Sequence, residues 1–452
     1  MRIIADLHIH SKYSRAVSPK MDLHGIGTWA SYKGIDLIAT GDWTHPMWFR
    51  EIVTQLTETS PGIFELKNPT LQQKRKVRFI LSVEISSIFS QGGKGRRIHN
   101  VVLAPSINTV EKINKEFVRR GTNIMSDGRP ITGMSAKDLL EMILSIDARC
   151  MLIPAHIWTP WFSLFGSKSG FDSIEECFGT EGAKNIYAIE TGLSSDPIMN
   201  WQIEDLKSRS IISSSDAHSG PKLAREATVF VSTNQQPITS YSYDDITDAI
   251  KQKQDGKLKI GYTIEFFPEE GKYHWTGHRA CNVKYSPLQE KEKGVICPVC
   301  KQPLTVGVES RVMQLAKTIL SPEDLLFAQN KNGLTFIEDK EKKRRPFVSI
   351  IPLQEVFNEL EGGSPIKGER AYQKAVSELG AEFDILLHTP YAQIETFGGP
   401  RLRRAIEIIR TRQAYVDPGY DGVFGVVKIF KDEKKESETN PIDENKTQAK
   451  LF

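Results

Sequence analysis

Short apolar and β-branched runs recur along the first part of the chain, and longer segments of mixed or helical character separate them. Examples of the runs are RIIADLHIH, DLIATGD, VRFILSVEIS and CMLIPAHIW, and SAKDLLEMILSI is an intervening stretch with apolar residues at helical spacing. Strands that alternate with helices in this way are typical of α/β domains. The pattern therefore predicts an α/β domain over about the first 265 residues, either barrel-like or built on a parallel sheet.

Side chains that bind metals fall at or near the ends of these runs. Because the carboxyl ends of parallel strands meet at one edge of an α/β domain, residues far apart in sequence are expected to form one cluster there. Only 10 of the 452 residues are histidines, and most belong to this set or to the cysteine cluster described below. The candidate ligands are His8, His10, Asp42, Glu84, His99, His156, Glu190, Asp216 and His218.

The stretch DLHIH places two imidazoles two residues apart. In a strand His8 and His10 project from the same face, with Ile9 on the other, so both can bind one metal. Taken alone, the pair fits two half-buried histidines with unrelated hydrogen bonds equally well. The further candidates at later strand ends favour a shared metal centre.

A mixed set of His, Asp and Glu ligands suits Zn, Mn or Fe, and a carboxylate such as Asp216 or Glu84 can bridge two ions. Two ions suit the hydrolysis of phosphate esters, because they activate a water and neutralise charge on the scissile group. Amide hydrolysis at a two-metal site is the chemical alternative. The candidate catalytic residues are Asp216, Glu84 and His156.

The five cysteines point to a second metal site. His278 and Cys281 are three positions apart, as are Cys297 and Cys300, so the two pairs can form a closed structural zinc site. His274 competes with His278 for the fourth ligand position. Cys150 and Cys177 are expected to be ordinary buried thiols.

Length and charge limit the remaining possibilities. A chain of 452 residues suggests two or three structural units, and 59 Lys and Arg against 56 Asp and Glu give a formal charge of only +3. This balance does not by itself demand a polyanionic partner, although local basic patches still could bind one. We find no apolar run long enough to span a bilayer and no signal peptide, so a cytoplasmic location is expected.

The sequence predicts four segments. The α/β domain occupies 1–268, a zinc-binding module 269–308 and a mainly helical domain 309–430. Residues 431–452 are charged and poor in apolar groups, which predicts a disordered tail that ends in QAKLF.

The motifs HxH, TGDWTH, IHN, AHIW and SDAH, together with an isolated Glu, resemble the ordered motifs of the PHP (polymerase and histidinol phosphatase) superfamily. AHIWTPWFSLFGSKSGFDSIEEC, IETGLSSDPIMNW, the CPVC region and PGYDGVFGVVKIF narrow the resemblance to endonuclease Q, over nearly the whole chain to Phe430. The resemblance implies a distorted (β/α)7 barrel that holds up to three metals. It also implies nicking of DNA on the 5′ side of uracil, hypoxanthine, xanthine and abasic sites.

The resemblance transfers a ligand set and also shows departures from it. Many PHP members carry a further histidine where this chain offers Ser11 or Ser14, and TDH where it reads Gly41-Asp42-Trp43, so the number of metals stays open. His45 is a possible replacement, and Glu190 is a ligand, a partner of a ligand or neither. The transferred metal ligands are His8, His10, Asp42, Glu84, His99, His156, Asp216 and His218.

A nuclease must hold DNA, and local basic clusters such as KGRR, EKKRRP and PRLRRAIEIIRTR could do so or could be solvated faces. The favoured cluster, Lys94, Arg96 and Arg97, adjoins His99. Reading a damaged base usually requires taking it out of the stack, and the loop PWFSLFGSKSGF offers rings and polar donors for this. Packing on the barrel rim is an equally good interpretation. The candidates in this loop are Trp161, Phe165, Ser167, Lys168, Ser169 and Phe171.

QAKLF is similar to the QxxLF pattern of bacterial sliding-clamp ligands, with Gln448 as polar anchor and Leu451 and Phe452 as apolar anchors. Two other functions stay open: a small-molecule phosphoesterase of the histidinol-phosphate type, and a non-catalytic DNA-binding, helicase-associated module. The expected cofactors are Zn²⁺, structural and also at the catalytic site, with Mg²⁺ or Mn²⁺ for activity. The expected partners are damaged DNA, single- or double-stranded, and the sliding clamp. Within the cytoplasm, the protein is expected to associate with the nucleoid.

Overall fold

The computed structural model describes residues 2–431. The strands of this part of the chain are β1 (Arg2–Asp6), β2 (Leu37–Ala39), β3 (Leu56–Ser60), β4 (Ile63–Leu66), β5 (Arg78–Gln91), β6 (Lys94–Ala104), β7 (Ile131–Thr132), β8 (Met151–Pro154), β9 (Ala188–Glu190), β10 (Ser210–Ile212), β11 (Ala227–Ser232), β12 (Leu258–Glu265), β13 (Thr276–His278), β14 (Val283–Tyr285), β15 (Leu325–Gln329), β16 (Thr335–Asp339), β17 (Phe347–Ser349), β18 (Tyr415–Asp417) and β19 (Val426–Lys428).

The helices are α1 (Leu23–Lys33), α2 (Pro46–Gln55), α3 (Ile107–Arg119), α4 (Ala136–Ile146), α5 (Ile174–Ala183), α6 (Pro197–Trp201), α7 (Tyr243–Ile250), α8 (Pro287–Lys293), α9 (Val308–Leu315), α10 (Leu353–Leu360), α11 (Pro365–Leu379), α12 (Glu382–Leu387) and α13 (Tyr391–Arg410). Several begin at a serine or aspartate whose side chain accepts a hydrogen bond from the first turn, as Ser106 does for α3 and Ser135 for α4. None of these described helices combines the length and apolar character of a membrane span.

The main sheet is mixed. β1 pairs parallel with β2 and β2 pairs parallel with β5, whereas β11 pairs antiparallel with the other edge of β1. β5 and β6 form a long antiparallel hairpin, and β8 adds antiparallel to β6. The α/β class predicted from the alternating runs is confirmed. Of the two predicted forms, the parallel sheet does not describe this mixed sheet, because an antiparallel hairpin joins β5 to β6.

Hydrogen bonds continue from β8 back to β1. Ile157 donates its N–H to the carbonyl oxygen of Glu190 at the end of β9 (3.2 Å), and β9 pairs parallel with β10. The segment after β10 then runs beside the segment after β1: Asp216 N–H donates to His8 O (2.9 Å) and His10 N–H donates to Ala217 O (3.0 Å). Strands β1, β2, β5, β6, β8, β9 and β10 thus lie on one closed hydrogen-bonded path.

The region after residue 309 extends this sheet as well as adding helices. β15, β16 and β17 pair in series, and β17 pairs parallel with β12. With β18 and β19, this segment contains five strands, which were not expected because its sequence indicates helices. Helices α10 to α13 pack together beside them, and α13 is interrupted at Gly399, where φ is +77°.

Candidate metal centre

Glu84 lies where two groups of imidazoles meet. Its Oε2 is 3.3 Å from Nε2 of His10 and 3.8 Å from Nε2 of His8. Its Oε1 is 2.6 Å from Nδ1 of His99 and 3.0 Å from Nε2 of His156. One carboxylate therefore offers a different oxygen to each group.

Asp216 completes the first group. Its Oδ1 lies 3.1 Å from Nε2 of His10 and 3.7 Å from Nε2 of His8. In each group the possible ligand atoms all lie within 4.8 Å of one another, a spacing that could hold one metal ion. The groups are His8, His10, Glu84 and Asp216, and, sharing the same glutamate, Glu84, His99 and His156.

The β5–β6 hairpin brings Glu84 and His99 together. Glu84 faces Val101 and Ser86 faces His99 across the ladder, so the two ligands lie on one face of the hairpin, one diagonal step apart. Both lie well inside their strands. The expectation that they mark strand ends is therefore wrong, although the hairpin still places them beside His8 and His10.

Three of the metal-type residues have left-handed backbone conformations. Asp42, His156 and Asp216 follow β2, β8 and β10, with φ of +51°, +30° and +48°. Such conformations are unfavourable for residues other than glycine and cluster at functional sites. At each position the turn aims the side chain inward as the strand ends.

The charges and burial of the two groups fit a cation. Among the described residues, Nε2 of His8, Nε2 of His10 and Oδ1 of Asp216 are buried without a hydrogen bond. Burial alone would lower the pKa of His8, but the carboxylates of Glu190 and Glu84 raise it well above its ordinary value. Carboxylates that favour positive charge in a buried site suit a bound metal ion equally well.

Asp42 holds His10 and is not among the ligand atoms that converge. Its Oδ1 lies 3.0 Å from Nδ1 of His10, on the far side of the ring from Glu84. Its Oδ2 accepts hydrogen bonds from the N–H of Ser11 (2.6 Å) and from the hydroxyls of Ser11 (2.7 Å) and Ser14 (2.9 Å). Asp42 therefore lies outside both ligand groups, with its oxygens engaged by these partners, and its direct binding of a metal stays a prediction.

Glu190 holds His8 in the same way. Its Oε1 and Oε2 lie 3.1 Å and 3.0 Å from Nδ1 of His8, and Oε2 also accepts from the N–H of His156 (3.0 Å). Of the three roles left open for Glu190, the structure favours a partner of ligands. Carboxylates that orient metal-binding imidazoles are a recurring feature of metal sites.

The two remaining candidates, His45 and His218, lie outside both ligand groups. The ring of His45 stacks on Tyr13, with ring centres 4.4 Å apart. His218 places Nδ1 2.9 Å from the carbonyl oxygen of Asp216, and its ring centre lies 4.8 Å from that of His10. His218 thus borders the centre, with a partly exposed side chain.

Arg129 is a neighbour that the sequence did not identify. Its Nη1 donates to Oε2 of Glu84 at 3.0 Å. Burial of Glu84 would raise the pKa of this carboxyl, but His99 and Arg129 hold it well below its usual range. The Asp-Gly turn in SDGRP was the available signal, since such turns often project a side chain from a fixed loop.

The loop 160–171 packs as part of the core. The side chains of Phe165, Phe171 and Ser169 are buried, and Arg96 is buried over the ring of Phe171. The predictions that these four residues contact a base or DNA are wrong in this conformation, because their surfaces are covered. Ser167 is partly buried and donates its hydroxyl to the carbonyl oxygen of Val306 (3.2 Å).

Other predicted contact residues remain accessible. Lys94, Arg97 and Lys168 are exposed, and Trp161 is partly buried, with its ring edge against Tyr273. Phe162, which the sequence reading missed, is also partly buried and has φ of +62°; its ring centre lies 4.7 Å from that of His99. It is therefore the aromatic side chain of this loop that touches a candidate metal ligand.

The predicted zinc ligands converge on the hairpin of β13 and β14. Ligand atoms of His278, Cys281, Cys297 and Cys300 all lie within 4.8 Å of one another. Cys297 is fully buried, and a tight turn after it is closed by the N–H of Lys301 donating to its carbonyl oxygen (3.0 Å). His274 is outside this group, so the structure favours His278 as the fourth candidate.

Two solved structures and one curated sequence match this chain over almost its full length. No family model matches the chain. The structure superposes on the lesion-specific endonuclease PfuEndoQ from Pyrococcus furiosus with a TM-score of 0.77 and 27% identity, covering 97% of this chain and 99% of that one. The chain resembles endonuclease Q over almost its whole length. This similarity confirms the resemblance first seen in the motifs.

A second endonuclease Q structure, a complex with a 27-mer duplex substrate that has an abasic lesion at the active site, gives a TM-score of 0.77 at 28% identity. It covers 97% of this chain and 100% of its own. Among curated sequences, the uncharacterized protein YqxK of Bacillus subtilis is 26% identical over 439 residues, 94% of this chain and 99% of YqxK. The uncharacterized protein MJ0043 of Methanocaldococcus jannaschii is 28% identical over 291 residues, 62% of this chain and 32% of that protein.

The clamp-like motif QAKLF falls in the C-terminal segment of the sequence. Gln448, Leu451 and Phe452 lie outside the described residues, and so does nearly all of the predicted tail.

Proposed function

We propose that this chain is a metal-dependent DNA repair endonuclease that nicks the phosphodiester bond 5′ to uracil, hypoxanthine, xanthine and abasic sites. The observation that carries the proposal is Glu84, which joins two buried ligand groups in a chain similar to endonuclease Q over 97% of its length. A lesion-specific nuclease and a complex with abasic DNA among the structural relatives support the choice of substrate.

Two ions are the simplest occupancy of this centre. His8, His10 and Asp216 would hold one ion and His99 and His156 the other, with Glu84 shared. When bound, such ions activate a water and stabilise the attacking and leaving oxygens of a phosphodiester. Zn²⁺ suits the imidazoles, and Mg²⁺ or Mn²⁺ is proposed to support activity.

The residues around the ligands keep the centre in one arrangement. Asp42 and Glu190 fix the ring nitrogens of His10 and His8 that face away from Glu84, so the opposite nitrogens stay free to bind. His218 borders the same centre, and the exposed Arg97 lies over the ring of Phe162, which contacts His99. Both residues would contact the DNA strand that enters the centre.

The domain boundaries belong to the same proposal. The closed path of seven strands supports the proposal of a distorted (β/α)7 PHP barrel within 1–268. His278, Cys281, Cys297 and Cys300 would hold a structural zinc within 269–308, and residues 309–430 would help to bind DNA. The QAKLF tail would bind a sliding clamp and keep the enzyme near replicated DNA in the nucleoid of the cytoplasm.

A nicking assay tests the proposal. Labelled duplexes with one uracil, hypoxanthine, xanthine or abasic site are incubated with the protein and Mg²⁺ or Mn²⁺, beside an undamaged duplex. We expect a nick on the 5′ side of each lesion and none in the undamaged duplex. Turnover of a phosphomonoester without any lesion-dependent nick would instead establish the small-molecule phosphoesterase.

A pair of aspartate variants separates cleavage from DNA binding. Asp216→Ala removes a ligand and should lower the nicking rate by at least about 100-fold, with DNA affinity nearly unchanged. Asp255→Ala, at an exposed turn, is the matched control and should nick normally. Persistent cleavage by Asp216→Ala would show that the catalytic centre lies elsewhere.

A further inference from the structure

Arg129 places a positive charge beside the two candidate metal-ligand groups that share Glu84. Its guanidinium donates to Oε2 of Glu84 at 3.0 Å, and the side chain is 26% exposed. Glu84 itself is fully buried. An arginine at this position can therefore reach both the shared carboxylate and the solvent side of the centre.

The loop that carries this arginine is fixed on both sides. Gly128 donates its N–H to the carbonyl oxygen of Tyr13 (3.0 Å), and Thr44 donates its hydroxyl to the carbonyl oxygen of Gly128 (3.1 Å). Ser86 of β5 donates its N–H to the carbonyl oxygen of Pro130 (3.0 Å). Strand β5 and the segments that follow β1 and β2 thus hold the arginine in position, and they also carry residues of the metal centre.

The guanidinium has donors to spare. Within residues 2–431, Glu84 is the one hydrogen-bond partner recorded for the Arg129 side chain. A guanidinium carries five N–H donors in a planar fork that matches two oxygens of a phosphate. The partly exposed side chain therefore retains donors for an anion that enters from solvent.

The need to neutralise the charge of Glu84 does not by itself explain why an arginine stands at position 129. Four imidazoles already surround Glu84, and a permanent positive charge beside metal ligands opposes the binding of cations by Coulomb repulsion. An arginine at such a site is useful if an anion binds there too, because it offsets charge that develops on a phosphoryl group.

We propose that Arg129 binds a non-bridging oxygen of the scissile phosphodiester, with its contact to Glu84 holding it ready before the substrate arrives. This inference rests on the proposed phosphodiester hydrolysis, but it does not depend on which lesion is recognised. Arg129 would then be a catalytic residue, because it touches the reacting group.

The test compares Arg129→Gln and Arg129→Lys with the intact protein on two substrates, abasic duplex DNA and bis(p-nitrophenyl) phosphate. We expect Arg129→Gln to lower kcat on both by about 100-fold, in the range for losing one oxyanion donor. Arg129→Lys should recover part of this loss, since it keeps the charge but not the fork. Inhibition by inorganic phosphate should weaken in both variants.

Metal content and a control variant decide between substrate binding and a structural role. Bound metal per chain and Tm should match the intact protein in both variants. Arg119→Gln, on α3 with an exposed side chain paired to Glu116, should behave like the intact protein in every assay. Loss of bound metal in proportion to activity would overturn the proposal and leave Arg129 as a residue that positions Glu84.

The two substrates keep this inference separate from the lesion specificity. Hydrolysis of bis(p-nitrophenyl) phosphate that depends on Arg129, without any lesion-dependent nick, would support the arginine contact and contradict the DNA repair function. Normal kcat of Arg129→Gln on both substrates would contradict the arginine contact alone.

Discussion

Nδ1 of His10 lies 3.0 Å from Oδ1 of Asp42, on the ring edge opposite to Glu84. Ser11 and Ser14 donate to the other oxygen of the same carboxylate. Serine stands here where the resemblance to PHP proteins leads one to expect histidine. The hydrogen bonds of these serines turn Asp42 into a support for His10, which fixes the ring tautomer and its orientation.

Asp42→Asn should therefore lower metal affinity without deleting a ligand. An amide retains one oxygen but also places donors against Ser11 and His10, so the ring loses its fixed tautomer. We expect about 10- to 100-fold weaker metal binding or activity, the usual cost of losing such a partner. Titration with Zn²⁺ or Mn²⁺ measures this. Ser14→Ala, which removes the hydroxyl contacts to Oδ2 of Asp42 (2.9 Å) and Nδ1 of His10 (3.4 Å) but keeps the carboxylate, should cost less. Loss of one whole metal equivalent at saturating metal would make Asp42 a direct ligand.

Glu84→Gln and Asp216→Asn should differ in metal stoichiometry. Glu84 belongs to both ligand groups, whereas Asp216 belongs to one. We expect Glu84→Gln to weaken both catalytic ions and Asp216→Asn to weaken one, with the zinc of the cysteine cluster unchanged as an internal reference. Elemental analysis after dialysis counts the ions. Equal losses in the two variants would contradict the sharing of Glu84.

Parts of both metal sites could be predicted from sequence, because residues a few positions apart take their relative placement from the local backbone. An HxH pair in extended backbone places His8 and His10 on one face, and this holds although β1 itself ends at Asp6. The spacing of Cys297 and Cys300 suits one metal whatever the fold around them. The α/β alternation was equally visible, since it depends on patterns a few residues long.

The features that the sequence did not predict depend on contacts between segments that are distant in the chain. Glu84 and His99 are neighbours because β5 and β6 form a hairpin of fixed register, which strand-end reasoning did not anticipate. Arg129 reaches Glu84 from a loop 45 residues away. The burial of Phe165 likewise follows from packing, which the aromatic content of its loop does not reveal.

Gly128→Ala should disturb the centre without touching a ligand. A Cβ at Gly128 would lie 2.4 Å from Oδ2 of Asp42 and 2.5 Å from Oγ of Ser14. The loop or the carboxylate has to move to remove this overlap. The movement should lower the free energy of unfolding by about 1 to 3 kcal/mol. We expect a lower Tm and reduced activity. Gly133→Ala is the control, because its added Cβ meets nothing within 4 Å. Equal behaviour of the two variants would argue against a close approach at Gly128.

Glu265 should make stability depend on pH. It is fully buried, and burial raises its pKa despite hydrogen bonds from Ser213, Thr263 and Thr191. The folded chain therefore keeps a proton that the unfolded chain releases above its ordinary pKa of about 4.3. Folding stability should fall as pH rises from that value until the raised pKa is passed.

Glu265→Gln isolates this effect, because glutamine carries no charge in either state. Its Tm relative to the intact protein should rise with pH across the neutral range, as measured by thermal unfolding in a series of buffers. Glu181→Gln, with a side chain that is 83% exposed, should run parallel to the intact protein at all pH values. A constant offset between Glu265→Gln and the intact protein would show that Glu265 is ionised in the folded chain.

Removal of the proposed zinc from the cysteine cluster should affect loop 160–171 as well as stability. The segment that follows the cluster is tied to loop 160–171: Ser167 donates to the carbonyl oxygen of Val306 (3.2 Å), and Arg311 donates to that of Phe165 (3.0 Å). We expect Cys297→Ser to lower Tm by more than about 5 °C and to raise KM for lesion DNA more than it lowers kcat. Cys177→Ser, a buried thiol outside the cluster, controls for the loss of a sulfur. Unchanged KM with a lowered Tm would confine the role of the cluster to folding.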